Sequence, residues 1–305
     1  MIKRYAKRGN HIITTKIEHP SVLNIFKYYE DKGFEITYLN VNEKGIIDLK
    51  QLEDSITDKT ILVSIMMVNN EIGTVQPIKE VVEIIKKKNK NVKLHVDGVQ
   101  AFGKIDIQLK NLGVDAFSFS GHKIHGPKGV GGLYIKNGTV LEPIIFGGNQ
   151  ERGLKSGTEN TPGIVGLGKA VEIIKNNFED EKNHILEVKK YFIDKVLEKI
   201  DNIKINSYTD DRCAPHIVNI SFIGVKGEVL LHYLEEDGIF VSTGSACSSH
   251  KKGRSHVLKS IGLKEEEIEG AIRFSFAFYN TKEEIEYAVD RLEKSVRDIR
   301  KIMMR

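Results

Sequence analysis

The sequence predicts an α/β protein with a large lobe on a mostly parallel sheet and a smaller C-terminal α+β lobe. Short apolar segments alternate with stretches of helical length through the first half of the chain, which is the pattern of βαβ units. Polar residues follow directly after several of these segments. The composition changes after about residue 178, so we predict a large domain at 1–178 and a small C-terminal domain at 179–305.

The large lobe is read from β-branched runs and helix-boundary residues. Pro20 fits the first turn of a helix, Gly33 ends that helix, and Asp48 opens a short one. The predicted strands are 11–15, 34–41, 60–68, 92–96, 114–119 and 132–135. The predicted helices are 1–8, 21–32, 48–56, 77–88 and 161–176.

The small lobe is predicted to mix helices and strands, and it carries a loop around Cys247. Thr281 and Glu284 have the spacing of a capping box at the start of the last helix. The predicted helices are 179–200, 227–236, 255–261 and 281–303. The predicted strands are 203–206, 217–222, 239–242 and 272–278.

Composition limits the possible functions. The 305 residues are 40% hydrophobic and 29% charged, and the net charge of +4 is too balanced for a nucleic-acid-binding protein. The longest apolar run, 61–68, is too short to cross a bilayer, and the start has no apolar signal-peptide core. The two cysteines suit a reducing compartment. We therefore expect a cytoplasmic protein that binds neither nucleic acid nor membrane.

Polar residues follow the predicted parallel strands and should converge at one edge of the sheet. They are His19, Asn70, Asp97, Gln100, Ser120, His122 and Lys123. Ser120 and His122 are suited to hold a phosphate, and Lys123 beside them could form a Schiff base. The alternative for Lys123 is a lysine in an exposed turn.

Two side chains of this group, and one from the small lobe, each have a functional and a structural interpretation. Asp97 could hold a protonated ring nitrogen or could cap a helix. His19 could lie over the same ring as an acid/base or could simply precede a helix. Arg273, in an apolar strand, could bind a substrate carboxylate or could form an internal salt bridge.

Cys247 is a candidate nucleophile. It lies in a small, polar loop with Lys251, Lys252 and Arg254, whose positive charges should lower the pKa of its thiol. Cys213 has no such setting and is interpreted as structural. A metal site of His122, His125 and Cys247 is conceivable, but no metal-ligand spacing supports it, so we expect no metal.

Seven motifs are spread over essentially the whole chain. They are Glu18-His19, 69–73, 95–97 with Gln100, 118–123, 152–158, 242–247 and 272–275. Together, and in this order, they resemble the motifs of the cysteine desulfurases of the NifS/IscS type, which are fold-type I, class-V aminotransferase-like enzymes.

The resemblance implies a site for pyridoxal 5'-phosphate. Lys123 corresponds to the lysine that forms the Schiff base, Asp97 to the partner of the pyridine nitrogen, and His19 to the histidine that stacks on the ring. Gln100 would bind the ring hydroxyl. The phosphate would be held by Ser120 and His122, joined by Thr158 of the partner subunit in a homodimer.

The resemblance also implies how L-cysteine is bound and used. Asn70, which would contact the cofactor as well, and Arg273 would take the substrate carboxylate. Cys247 would be the nucleophile that becomes a persulfide, and the length of its loop matches the long-loop branch of the family. The persulfide would supply an acceptor or iron–sulfur scaffold protein, for iron–sulfur cluster assembly or tRNA thiolation.

The chain departs from the family at its start. Family members carry an earlier segment with a Gly-Ala-Thr-Glu-like turn that holds the phosphate, and no such motif occurs here. A fragment, a misplaced start and a naturally reduced protein all fit, and we expect weak cofactor binding by these residues alone. Selenocysteine lyase or cysteine-sulfinate desulfinase is an alternative function. Another is a truncated, non-catalytic paralogue that binds a partner.

Overall fold

A computed structural model describes residues 1–244 and 254–303 of the chain. Within it the chain forms two compact units. The first unit consists of Met1–Asn40, Ile47–Val68 and Gln76–Asn177. The second consists of Val41–Ile46, Asn69–Val75 and Phe178–Arg305. Two short segments from the first half of the chain thus belong to the second unit. A single division of the chain at residue 178 would assign both segments to the first unit.

The first unit contains a six-stranded sheet in the order β2-β1-β3-β4-β5-β6. Strands β1 to β5 pair in parallel, and β6 is antiparallel to β5. The strands are β1 (His11–Thr15), β2 (Glu35–Leu39), β3 (Thr60–Met66), β4 (Lys93–Asp97), β5 (Ala116–Ser120) and β6 (Gly131–Ile135). The helices are α1 (Ile2–Tyr5), α2 (Pro20–Glu30), α3 (Leu49–Ser55), α4 (Ile78–Lys88) and α5 (Leu109–Leu112).

The centre of this sheet is its most buried part. Every residue of β1 and β3 is buried, as expected for parallel strands that are covered on both faces. Each completely buried isoleucine or valine stabilises the fold by about 1.5–3 kcal/mol relative to an exposed one. The sheet is therefore a firm support for the residues that follow β1, β3, β4 and β5.

The predicted helix starts of the first unit are confirmed. Pro20 is the first residue of α2. Oδ1 of Asp48 accepts a hydrogen bond from the backbone N–H of Gln51 over 2.9 Å and so caps α3.

The second unit contains a three-stranded antiparallel sheet in the order β7-β8-β9. Its strands are β7 (Ile203–Ile205), β8 (Ile217–Phe222) and β9 (Ala271–Ser275). Helix α6 (Thr161–Lys199) begins within the residues of the first unit and ends in the second. The other helices are α7 (Gly227–Glu236), α8 (His256–Ser260), α9 (Glu265–Glu269) and α10 (Lys282–Met303). Apolar side chains of α6, α7 and α10 pack with those of β8 and β9 in one core.

Two predictions for the second half of the chain are wrong. The break expected near Asn177 does not occur, and α6 is continuous there, because the segment contains neither proline nor glycine to interrupt the helix. Residues 239–242 do not form a strand. Only Ser242 pairs, through an isolated bridge to Arg273.

The capping box predicted for the last helix is present. The backbone N–H of Thr281 donates to Glu284 Oε2 over 3.1 Å, and the N–H of Glu284 donates to Thr281 Oγ1 over 3.2 Å. No helix in the described part of the chain is long and apolar enough to cross a membrane.

Candidate functional site

The first unit places several predicted site residues at one edge of its sheet. Because β1, β4 and β5 run parallel in one sheet, their carboxyl ends lie on the same side. Asp97 is the last residue of β4, Ser120 is the last of β5, and His19 follows β1 by four residues. The edge therefore presents a carboxyl group, a hydroxyl group and an imidazole.

Asp97 is a buried carboxyl group with a fixed orientation. It is 8% exposed, and its Oδ1 accepts a hydrogen bond from the N–H of Val99 over 2.9 Å. Burial raises the pKa of Asp97, whereas the Val99 hydrogen bond and the nearby His19 lower it. A buried carboxyl group at a strand end suits a positively charged partner such as a protonated ring nitrogen.

Ser120, His122 and Lys123 lie at a tight turn. A 3-10 helix, Gly121–Ile124, follows β5 directly, and Oγ of Ser120 lies 2.7 Å from Nδ1 of His122. Burial and the charges of Lys123 and Lys128 lower the pKa of His122. Lys123 itself is half-buried. A hydroxyl, an imidazole and a primary amine are thus brought together within four residues, as the sequence predicted.

His19 caps helix α2. Its Nδ1 accepts a hydrogen bond from the N–H of Ser21 over 3.2 Å and lies 2.9 Å from Oγ of Ser21. When the imidazole is neutral and Nδ1 accepts, its proton is on Nε2. The capping alternative and the ring-stacking interpretation are compatible, because a hydrogen bond at Nδ1 lies in the plane of the imidazole whereas stacking uses its face.

Gln100 and Thr158 complete the predicted set in the first unit. Gln100 is half-buried in the turn after β4. Thr158 is exposed on the segment that precedes α6. Its exposure is compatible with the predicted role of Thr158, which is to contact the phosphate of another subunit.

Asn70 and Arg273 come together in the second unit. Nη1 of Arg273 donates a hydrogen bond to the backbone carbonyl of Asn70 over 2.9 Å. Arg273 is half-buried in β9, and Asn70 is half-buried on the segment after β3. Both residues predicted to bind a carboxylate thus lie at one place within this unit.

The two cysteines differ in what the structure describes. Cys247, with Lys251 and Lys252, lies outside the described residues. Arg254 is described and forms an ion pair with Glu265. Cys213 is 4% exposed, and Nζ of Lys189 lies 3.1 Å from its Sγ. Burial raises the pKa of the Cys213 thiol, which agrees with its structural interpretation.

Two buried acids were given no role by the sequence. Glu18 is fully buried; its Oε1 accepts hydrogen bonds from Thr15 Oγ1 over 2.9 Å and from the N–H of Met66 over 2.8 Å. Burial raises its pKa to about 8. Glu71 is 6% exposed, and burial raises its pKa to about 7. The available signal was the spacing of each glutamate, which lies three positions after the last residue of an apolar or β-branched run, Thr15 or Val68.

The donor set of the first unit fits pyridoxal phosphate. The cofactor has an aldehyde, a basic ring nitrogen and a phosphate, which call for an amine, a carboxylate and hydrogen-bond donors. Lys123, Asp97 and the pair of Ser120 and His122 supply these groups at neighbouring strand ends. Among the described residues, no cluster of three or more histidine, cysteine or acidic side chains suits a metal ion.

Comparison with known proteins agrees with this chemistry. Residues 1–288 match the model of the family "Aminotransferase class-V". A cysteine desulfurase IscS from Clostridium botulinum is 48% identical over 297 residues, which are 97% of this chain and 74% of that protein. The chain belongs to the cysteine desulfurase branch of the class-V aminotransferase family. An IscS cysteine desulfurase from Dictyoglomus turgidum is 44% identical, again over 97% of this chain and 74% of the relative.

Solved structures show the same relationship. A structure described as a NifS-like protein superposes with a TM-score of 0.89 at 41% identity, over 96% of this chain and 76% of its own. A NifS-like protein from Rickettsia africae gives a TM-score of 0.85 at 33% identity, over 97% and 78% of the two chains. The predicted family and fold class are confirmed. The enzyme class of the family is the predicted one, a cysteine desulfurase with pyridoxal phosphate as cofactor.

Proposed function

We propose that this chain removes the sulfur atom from L-cysteine and holds it as a persulfide on Cys247. L-Cysteine and the Cys247 thiol react to give L-alanine and the Cys247 persulfide. The persulfide then supplies an acceptor protein for iron–sulfur cluster assembly or tRNA thiolation. The observation that carries this proposal is the group of Asp97, Ser120, His122 and Lys123 at the carboxyl ends of β4 and β5.

Pyridoxal phosphate would be held by the residues at this edge. Lys123 would bind its aldehyde carbon, Asp97 its ring nitrogen and Gln100 its ring hydroxyl. Ser120 and His122 would bind its phosphate. When bound, the cofactor supplies an electron sink for the electron pair left on the substrate Cα.

The side chains of the first unit would orient the ring and move the proton. Asp97 is buried, and its carboxylate would keep the ring nitrogen protonated by pairing with the positive charge of that nitrogen. The amine of Lys123 would accept the proton from the substrate Cα. His19 would pack on the ring, with its orientation set by the hydrogen bond that its Nδ1 accepts from the N–H of Ser21.

Arg273 and Asn70 would bind the substrate carboxylate. The guanidinium group forms paired, charge-assisted hydrogen bonds with carboxylates. Its Nη1 is directed to the Asn70 carbonyl, which fixes the plane of the group relative to the Asn70 backbone. This contact orients both residues before substrate arrives.

Cys247 would carry out the sulfur transfer. Its thiolate attacks the substrate sulfur, so that a sulfur–sulfur bond forms while the substrate Cβ–S bond breaks. Cβ retains the electron pair of the broken bond and takes up a proton, which completes L-alanine. A cysteine thiol stays reduced in the cytosol, which supports a cytoplasmic location.

A homodimer is part of the proposal, with Thr158 of the partner subunit at the phosphate. Exposed apolar side chains of the first unit support it. Ile144 is 73% exposed, Phe146 78% and Val165 66%. Large apolar side chains concentrated in two nearby stretches of sequence are typical of interaction surfaces.

The test is product formation with three substrates. The protein, loaded with pyridoxal phosphate and supplied with a dithiol that reduces the persulfide to sulfide, is given L-cysteine, L-selenocysteine or L-cysteine sulfinate. Alanine is quantified together with sulfide, selenide or sulfite. We expect alanine and sulfide in equal amounts from L-cysteine, and no turnover by the Lys123→Ala variant. Faster formation of alanine from L-selenocysteine or L-cysteine sulfinate than from L-cysteine would contradict the proposal. So would the absence of alanine with all three substrates.

A further inference from the structure

A buried carboxyl group in the second unit lies against both ends of segment 245–253. Oε2 of Glu71 accepts a hydrogen bond from Oγ of Ser255 over 2.5 Å. The same oxygen would lie 2.5 Å from a Cβ atom placed on Gly244. Gly244 and Ser255 flank the segment that contains Cys247. One side chain therefore contacts the residue before that segment and a residue just after it.

The backbone of Glu71 is firmly held. Oδ1 of the fully buried Asn69 accepts hydrogen bonds from the N–H groups of Glu71 and Ile72, over 2.9 and 3.1 Å. The carbonyl of Glu71 accepts a hydrogen bond from Nδ2 of Asn219 in β8 over 3.3 Å. Glu71 is thus joined to the sheet of the second unit and is a fixed point for what it contacts.

Ser255 links this carboxyl group to helix α8. Its hydroxyl also accepts a hydrogen bond from the N–H of Leu258 over 3.1 Å, so Ser255 is the N-cap of α8. Val257 and Leu258 are each 1% exposed, which anchors the short helix in the core. Loss of the Glu71 contact would leave α8 with its cap but would remove this hydrogen bond between Ser255 and the Asn69–Val75 segment.

Gly244, which precedes segment 245–253, has no room for a side chain. A methyl group there would collide with the Glu71 carboxyl group and would approach Cβ of Ser255 to 3.1 Å. Two residues earlier, Ser242 pairs with Arg273 through hydrogen bonds of 3.1 and 2.7 Å between their backbones. Glu71 therefore belongs to one connected group of residues, which includes Gly244 and Ser255 on the two flanks and Arg273, the arginine predicted to bind a carboxylate.

We infer that Glu71 is a positioning residue for the sulfur transfer: it holds Gly244 and Ser255 together at the base of the segment that bears Cys247. This role rests on the proposed function, in which Cys247 is the nucleophile. Glu71 does not touch the reacting atoms and acts through the two flanking residues. Its neighbour Asn70 shares the segment and receives the hydrogen bond of Arg273.

The expected size of the effect follows from the loss of orientation when the Glu71 contact is removed. A misplacement of about 1 Å can lower the rate of a reaction by about 100-fold. Ser242 and Ser255 keep their other hydrogen bonds, to Arg273 and Leu258, so the misplacement should be smaller than this. A decrease of about three- to tenfold in the sulfur-transfer rate is therefore expected.

The test compares four variants with one matched control. Glu71→Ala and Ser255→Ala remove the contact, whereas Glu71→Gln and Ser255→Thr retain an oxygen acceptor and a hydroxyl donor. Asp48→Ala removes a helix cap of the same kind from α3 in the first unit. It therefore reports the effect of a lost cap alone. If Glu71→Ala does not fold, Ser255→Ala carries the test.

Two readouts separate positioning from general stability. The first is hydrogen–deuterium exchange of the peptide 254–260, measured with and without pyridoxal phosphate. The second is a single turnover with L-cysteine, in which the change in the cofactor absorbance and the appearance of persulfide on Cys247 are timed separately.

We expect exchange at 254–260 to be about tenfold faster in Glu71→Ala and Ser255→Ala, and near wild type in Glu71→Gln, Ser255→Thr and Asp48→Ala. Persulfide formation should slow by three- to tenfold in the first two variants only, with the absorbance change unaltered. Wild-type exchange or persulfide rates in Glu71→Ala and Ser255→Ala would overturn the role of Glu71. A wild-type protein that forms alanine without a Cys247 persulfide would instead overturn the proposed function.

Discussion

Nη1 of Arg273 donates a hydrogen bond to the backbone carbonyl of Asn70, although the two residues are 203 positions apart in the chain. The backbone of Arg273 is fixed in β9 by its pairing with Asn219 of β8. Arg273 is thus held at both its backbone and its guanidinium group. A rigid guanidinium loses little entropy when it binds a carboxylate, and this relationship leads to the first prediction.

Arg273→Lys should weaken the binding of L-cysteine. A lysine ammonium cannot reproduce the two parallel hydrogen bonds of a guanidinium group with a carboxylate. Loss of one charge-assisted hydrogen bond, which contributes about 1.5–3 kcal/mol, corresponds to a rise in KM of about 10- to 150-fold. Steady-state kinetics with L-cysteine check this. Arg212→Lys is the control, because Arg212 is an exposed arginine paired with Asp210. An unchanged KM in Arg273→Lys would exclude a role in binding the carboxylate.

Lys123 should be the residue that binds pyridoxal phosphate covalently. It is half-buried at the turn after β5, directly after His122. Borohydride reduction of the loaded protein followed by peptide mapping should place the pyridoxyl group on Lys123. Lys104 and Lys128 are the internal controls in the same unit. A label on either of them, with Lys123 unmodified, would show that the assignment is mistaken.

The two cysteines should differ in function. Cys247→Ala should abolish persulfide and sulfide formation and leave the cofactor absorbance nearly unchanged, because Cys247 is not among the residues proposed to hold the ring. Cys213→Ala should keep at least about half of the activity, since the Cys213 side chain is buried. Sulfide assays and mass spectrometry of the intact protein measure both outcomes. The reverse pattern would require a different nucleophile.

The sheet edge could be predicted from the sequence for a simple physical reason. Parallel strands covered on both faces are apolar runs, and the run stops where the chain reaches solvent or a ligand. Asp97 and Ser120 are the last residues of β4 and β5, and the apolar runs followed by polar motifs predicted that these strands end there. His19 likewise follows β1 at the predicted place.

Other features depend on contacts that no local pattern contains. The hydrogen bond between Glu71 and Ser255 joins residues 184 positions apart, so neither residue alone indicated it. Residues 239–241 are a short run of β-branched and aromatic residues that is typical of a strand, but only Ser242 of segment 239–242 pairs with β9. The division between the two compact units does fall after Asn177, but the helix break predicted there is absent, because the asparagines at 176 and 177 cost a helix little and the neighbouring turns extend through them.

The last prediction concerns Glu18, whose burial should make the stability of the fold depend on pH. Its pKa rises from about 4.5 in the unfolded chain to about 8 in the fold, because burial disfavours the charged form. The folded state therefore binds more protons than the unfolded state between these two values. Stability contributed by the neutral carboxyl group is fully present below pH 4.5 and is lost as the pH rises through about 8.

Glu18→Gln should remove this dependence, because a glutamine keeps an oxygen for Thr15 and Met66 and does not ionise. The free energy of unfolding of Glu18→Gln minus that of the wild type should increase from pH 5 to pH 9, by several kcal/mol. Urea unfolding followed by circular dichroism measures it, since the chain contains no tryptophan. Glu80→Gln, on the exposed side of α4, is the control and should show no such increase. A constant difference for Glu18→Gln between the two pH values would mean that Glu18 is already ionised in the fold at pH 5. The negative charges of Glu18 and Asp97 would then repel each other, and a cationic ring beside Asp97 would be attracted by both.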